Sequence, residues 1–298
     1  MPDNIETRFA LCQETISNDK IGFMDFKEAF DTIADMGYDG VETTHKAFEE
    51  PVWKMNARKR EQIANAAEQA GLKIIGGHWW LSEDKYKDKP LHLMGYDPLT
   101  GEFNNDILNN TIEFGKNMLR FIGDVGGTIE VLGSPKQRSL PGGVHFADGR
   151  GLLVTYLASM LPIQEKYGIT VCLEPLGPDE SNFITDDSSA HNILDCLDSE
   201  YIALLLDVKA MSSVGDPVEI IKRNNPERLK HFHVQEANRR ASGQGTTPIT
   251  SILCALKGIG YRGWVSEEHF IYEPNRVKLA GGACKYLNYC NDNVNLWE

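Results

Sequence analysis

Four short apolar runs in the second half of the chain each end in a group that can ligate a cation or move a proton. Ile169-Thr170-Val171-Cys172-Leu173 runs into Glu174, and Ala203-Leu204-Leu205-Leu206 runs into Asp207. His231-Phe232-His233 reaches an imidazole before Val234, and Trp264-Val265-Ser266 runs into Glu267-Glu268. The intervals from Glu174 to Asp207, His233 and Glu268 in turn are 33, 26 and 35 residues, each close to one strand–helix repeat. In a closed parallel barrel the ends of four consecutive strands meet at one mouth. Three carboxylates and an imidazole gathered there repel one another unless a cation sits among them. Hard oxygen donors with one imidazole suit Mn²⁺, Mg²⁺ or Co²⁺. A strand-end acid can also be a helix N-cap, which would account for any one of these residues alone. One per strand on four consecutive strands points instead to a metal centre. Alternation along the eighth run does not choose between Glu267 and Glu268. Along the seventh it puts His231 on the face of His233, one layer deeper, and predicts a hydrogen-bonded core histidine.

Eight such runs recur along the chain: Phe9–Cys12, Gly40–Thr43, Leu72–Gly76, Ile129–Gly133, Ile169–Leu173, Ile202–Leu206, Leu229–Val234 and Gly263–Ser266. Short continuous apolar runs suit strands buried on both faces of a parallel sheet. Helical patterns separate them. Asp25, Asn56 and Asp216-Pro217 read as helix starts, and Gly37 and Gly71 as stops. Met36-Gly37-Tyr38, Lys166-Tyr167-Gly168-Ile169 and Ile259-Gly260-Tyr261 repeat one helix-to-strand junction. Eight strands with helices between them predict an α/β fold, a single (β/α)8 TIM barrel over residues 1–298. No GxGxxG follows the first strand, which argues against a dinucleotide-binding sheet. Trp79 to Asn105, rich in Lys, Asp, Pro and Gly, is an insertion at the catalytic end and is expected to be an active-site loop.

The bulk numbers narrow the function. Over 298 residues, 41 % hydrophobic and 24 % charged, the chain can build a full core. A net charge of −13 repels phosphate backbones, so nucleic acid is not an expected partner. Cys12, Cys172, Cys196, Cys254, Cys284 and Cys290 form no CxxC pair and read as free thiols in a reducing compartment. The polar, acidic start Met1-Pro2-Asp3-Asn4 lacks a signal-peptide layout, and no apolar run is long enough for a membrane, so a cytoplasmic protein is expected. Gly76-Gly77-His78-Trp79-Trp80 closes the third strand. His78 is expected in the mouth, with Trp79 or Trp80 as an apolar wall for a sugar ring, and Glu42 is a further candidate for the pocket lining. The C-terminal stretch from Leu279, with Tyr286, Tyr289 and Trp297, could pack on the barrel or on a neighbour, so a homo-oligomer stays open.

These residues resemble the ketose 3-epimerase (tagatose/psicose 3-epimerase) branch of the xylose-isomerase-like barrel superfamily of sugar (phosphate) isomerases and epimerases. Leu173-Glu174-Pro175-Leu176 is similar to that family's first ligand strand, and Leu206-Asp207 to its aspartate ligand. The stretch from His231 to Arg240 is the most specific likeness, and Gly260-Tyr261-Arg262-Gly263 leading to Glu268 resembles the last ligand strand. The resemblance implies His233 and Glu268 as ligands beside Glu174 and Asp207. It implies substrate contacts from Glu180 and Arg239. Leu132-Gly133-Ser134-Pro135-Lys136-Gln137-Arg138 resembles uncharacterised members labelled sugar phosphate isomerase/epimerase, which makes Lys136 and Arg138 candidates for an anionic substrate group such as phosphate. One departure stands out: the family's histidine three residues after the aspartate is Ala210 here.

The chemistry implied is proton abstraction next to a carbonyl of a sugar or sugar phosphate, through an enediolate stabilised by one divalent ion, Mn²⁺ ahead of Mg²⁺, Co²⁺ or Zn²⁺. Glu174 and Glu268 would be the catalytic pair, one on each face. A dehydratase of the inosose or dehydroshikimate type would use the same site, and Ala210 leaves room for it. An apurinic-site endonuclease needs several zinc ions and more strand-end histidines than this scattered set offers. A non-catalytic sugar-binding barrel would not require four ligands.

Overall fold

The structure is a computed structural model that describes residues 7–294. Within them the eight runs become eight parallel strands: β1 (Arg8–Cys12), β2 (Gly40–Thr43), β3 (Lys73–Gly77), β4 (Ile129–Leu132), β5 (Thr170–Leu173), β6 (Ile202–Asp207), β7 (Leu229–Val234) and β8 (Trp264–Glu267). Each pairs with its sequence neighbours, and β1 pairs with β8 from Arg8↔Trp264 to Leu11↔Glu267, which closes the barrel.

The strands close because both of their faces are apolar. Ala10, Ile75, Ile129, Val131, Cys172, Ala203, Leu205 and Trp264 form one buried cluster, distinct from the main core built by strands and helices together. The guanidinium of Arg8 lies 4.3 Å over the Trp264 ring and covers that cluster at the N-terminal end of the strands.

The helix starts legible in the sequence are true caps. Asp25, Asn56 and Asp216 each accept a hydrogen bond from a first-turn amide, and Pro217 takes the first helical position. Gly37 and Gly168 end their helices in the left-handed region, at φ 95° and 65°. Strand register then sets the site. Asp207 lies opposite His233 across β6–β7, and His233 lies opposite Ser266 across β7–β8. Register shifts sit at Val41/Glu42 and Leu204/Leu205, shortly ahead of the buried acids Glu42 and Asp207.

The 79–105 segment is more ordered than its composition suggests. It carries a small hairpin, Lys85–Tyr86 with Lys89–Pro90, and a bridge between Tyr96 and Phe103. Leu81, Leu91, Leu93 and Met94 anchor it in the core, and Leu99 at its tip is 94 % exposed. At the other end of the chain, helix Arg276–Asp292 buries Leu279, Cys284 and Leu287 on the barrel and leaves Tyr289 exposed. Trp297 lies outside the described residues.

Candidate metal centre

Glu174, Asp207, His233 and Glu268 each present a ligand atom, and these atoms all lie within 4.8 Å of one another. All four residues are buried. Each is aimed by its surroundings. Asp207 caps the helix Val208–Val214 through Ala210 N to Oδ1 at 2.7 Å, and its Oδ2 accepts from Gln235 Nε2 at 2.7 Å. The capping role and the cluster role therefore coexist in one side chain. His233 Nδ1 faces Glu268 Oε2 at 3.1 Å, while its Nε2 is 3.0 Å from Glu42 Oε1. Glu267 points elsewhere. Its carboxylate accepts from Ser242 N at 3.1 Å and Ser242 Oγ at 2.6 Å and sits 3.0 Å from His269 Nδ1, which leaves Glu268 to the mouth. Glu174 fits because residue 133 has no side chain: a Cβ on Gly133 would collide with Glu174 Oε2.

The electrostatics differ across the cluster. Burial pushes the Glu174 carboxyl up to about 8, and Asp207 and Glu268 reinforce the shift. Burial also raises Asp207 against the pull of Lys209. Burial alone would raise Glu268 too, but His233, His78 and Lys209 outweigh it and hold Glu268 below the ordinary carboxylate range. Burial disfavours charge on His233, yet Glu42 and Glu268 raise it well above the usual imidazole value. Three buried acids beside one imidazole form a donor set that a divalent cation would neutralise, so the residues fit such an ion.

A cavity of about 410 Å³ opens onto the cluster. His78, Trp79, Lys136, Glu174, Glu180, His233 and Glu268 line it, as do Lys209 and Phe270. Trp79 takes φ 55°, a turn that brings its Nε1–H to Glu268 Oε1 at 3.2 Å. Trp80 is core instead, its Nε1–H donating to Gly115 O at 3.3 Å. Glu180 is gripped by Lys209, whose Nζ lies 2.9 Å from both carboxylate oxygens and 4.8 Å from the Phe270 ring centre.

Arg138 is placed differently from the expectation of an anion contact. It is fully buried, and its Nη1 donates to Glu174 O at 2.6 Å and its Nη2 to Ile184 O at 3.4 Å. Its guanidinium braces the strand end behind Glu174, and it is not among the residues lining the cavity. Arg239 is not among the cavity-lining residues either; it is 44 % exposed, with Nη2 2.8 Å from Asp179 Oδ2 and 3.6 Å from the lining residue Glu180 at Oε1. Glu42 also departs from its expected place. It is fully buried behind His233 and holds His231 Nε2 at 2.6 Å, which makes His231 the hydrogen-bonded core histidine foreseen for it.

Lys209 and Glu14 are the site residues that sequence reasoning passed over. Lys209 stands two residues after Asp207, on the helix that Asp207 caps, so its position carried the signal. Glu14 follows β1 and reaches His78 Nε2 at 2.8 Å, a pairing that only barrel closure reveals.

The family signature described as xylose isomerase-like TIM barrel matches residues 30–290. The chain is 21 % identical to a 3-dehydro-D-guloside 4-epimerase of Escherichia coli K12 over 275 residues, 88 % of this chain and 94 % of that one. It is 30 % identical to a D-psicose 3-epimerase of Ruminiclostridium cellulolyticum over 109 residues, a stretch that spans only 37 % of either chain. A solved L-ribulose 3-epimerase superposes with a TM-score of 0.79 at 18 % identity, covering 98 % of this chain and 97 % of the other, which is a likeness of fold.

Proposed function

The chain belongs to the xylose isomerase-like TIM barrel family and is an enzyme of the sugar isomerase/epimerase kind, and we propose that it works with one divalent ion held by Glu174, Asp207, His233 and Glu268. Mn²⁺ is the preferred ion in this reading, given three oxygen-donor side chains and one imidazole. The observation that carries it is the convergence of four buried donors from four consecutive strands within 4.8 Å of one another, three of them, Glu174, His233 and Glu268, lining one cavity. When bound, the ion supplies Lewis-acid polarisation of a sugar carbonyl.

The chain's own residues do the rest. Glu268, kept ionised by His233, His78 and Lys209, takes the proton from the carbon beside the carbonyl. Glu174 follows β5 and Glu268 follows β8, three strands apart round the barrel, so they reach a substrate from different sides. A proton taken by one and returned by the other inverts the carbon; a proton returned to the neighbouring carbon isomerises the sugar. Trp79 forms an apolar wall and its N–H restrains Glu268. His78 lines the floor, and Glu180, held by Lys209, binds a substrate hydroxyl. Arg239, paired with Asp179 beside Glu180, and Lys136 in the cavity lining are the further substrate contacts in this reading. The 79–105 segment, which supplies Trp79, Ser82 and Asp84 to the cavity, covers the site as part of one barrel unit. The six cysteines form no disulfide, which fits a reducing, cytoplasmic setting, and no helix among the described residues is long and apolar enough to cross a membrane.

The test is product analysis by NMR after incubating the Mn²⁺-loaded protein with a panel of ketoses, ketosides and ketose phosphates. Conversion of one substrate to its epimer or isomer supports the reading. A product that has lost water overturns it in favour of a dehydratase.

A further inference from the structure

A second cluster of donors lies beside the first. Cys12 ends β1, Glu14 follows it, and His78 follows β3. One ligand atom from each lies within 4.8 Å of the others, and all three residues are at most 1 % exposed. Barrel order explains the meeting: β2 alone separates β1 from β3.

Two polar atoms of this cluster lack a hydrogen bond. Glu14 Oε2 and His78 Nε2 meet at 2.8 Å as an ion pair, but Glu14 Oε1 and His78 Nδ1, the latter 3.5 Å from Glu42 Oε1, are buried without one. Each leaves a desolvation cost of roughly 1–3 kcal/mol that a bound cation would offset. Cys12 also lies near Glu42 and His233, but His233 already serves the first cluster, and Glu42 holds both His231 and His233.

We propose that Cys12, Glu14 and His78 bind a second divalent cation, of the zinc class, next to the four-ligand centre. The donor set decides the class. Thiolate, imidazole and carboxylate together select Zn²⁺ or Co²⁺ over Mg²⁺ and Mn²⁺, whereas the first cluster offers no sulfur. The donors lie within 4.8 Å of one another, so small side-chain shifts bring all three to bond lengths of about 2.0–2.3 Å from one ion. His78 also borders the cavity, which gives the ion a route in. The second ion would tie the ends of β1 and β3 together and fix the His78 ring, whose Nε2 lies 3.9 Å from Glu268 Oε1. The two centres then differ in chemistry, one oxygen-rich beneath the substrate and one sulfur-bearing at its flank.

Cobalt distinguishes them, because only a thiolate ligand gives an intense near-ultraviolet sulfur-to-cobalt band. The full chain, stripped by chelator, is titrated with Co²⁺ while absorbance is recorded and bound metal is counted. Two ions per chain are expected, one of them bringing the thiolate band. Cys12→Ser should lose the band, and Glu14→Gln should lose one ion while its circular dichroism stays that of the parent; this second variant serves if the serine variant fails to fold. One ion per chain with no thiolate band overturns the proposal and leaves the four-ligand reading intact. A band that survives in Cys12→Ser overturns it as well. No ion at all would overturn both.

Discussion

Nε2 of His233 stands 3.0 Å from Oε1 of Glu42, while Nδ1 of the same ring faces Oε2 of Glu268 at 3.1 Å. One nitrogen is thus turned toward the donor cluster and the other is held by a carboxylate wholly inside the barrel. This is how a ligating imidazole is fixed in orientation and made more basic. Glu42→Gln keeps the shape and removes the charge. We expect metal affinity at the four-ligand centre to fall about tenfold to a hundredfold. Isothermal titration with Mn²⁺ checks this, and an unchanged Kd would falsify the supporting role.

The raised Glu174 carboxyl makes metal binding pH-dependent. Its value of about 8 lies above the ordinary 4.5, so at neutral pH the ion must displace a proton. Affinity should therefore rise from pH 6 to pH 9, and proton release should be larger at pH 7 than at pH 9. Stability follows the same linkage. A carboxyl raised in the folded state favours folding while it is protonated, and that advantage is lost as pH climbs from 4.5 through about 8. The metal-free protein should lose melting temperature over that window, and the gap between metal-loaded and metal-free Tm should widen. Differential scanning calorimetry at several pH values would show a constant gap if Glu174 is not a ligand.

Gly133 leaves room for the Glu174 carboxylate, so Gly133→Ala should push that side chain out of the cluster. The atom met is the end of a flexible side chain, so little stability should be lost while metal affinity falls. Normal metal affinity in this variant would mean that Glu174 is not a required donor.

Arg138 and Lys136 separate two explanations for a basic strand-end loop. Arg138 holds backbone carbonyls in a buried place, so Arg138→Met should lower stability by about 2–3 kcal/mol whatever the substrate. Lys136 is exposed at the cavity, so Lys136→Ala should leave stability alone. It should raise KM for a phosphorylated sugar and not for a neutral one. Equal KM changes on both substrates would remove any role in anion recognition.

The pattern of what the sequence revealed has a physical basis. The barrel strands were legible because strands buried on both faces are continuous apolar runs, and the caps at Asp25, Asn56 and Asp216 because capping is a local bond. The four candidate ligands were legible because each sits at the end of such a run. Glu42 was read as a wall because strand alternation says which side a residue faces but not how deep it lies. The network from Glu42 to His231 and His233 depends on closing the barrel, which brings β2 to face β7 across its interior. Arg138 misled for a related reason: a basic residue in a loop looks solvated until its carbonyl partners, 36 and 46 residues further along the chain, are known. Lys209 was in plain view beside Asp207, but only the fold shows that it grips Glu180.

Solvent exchange tests the central claim most directly. The Mn²⁺-loaded protein is incubated in deuterated water with its converted sugar, alongside Glu174→Gln and Glu268→Gln, and deuterium is located by NMR. The account predicts deuterium at the single carbon beside the carbonyl, dependent on metal, and its loss in both variants. Conversion without any deuterium, or full exchange with either glutamate gone, would contradict proton transfer by this pair.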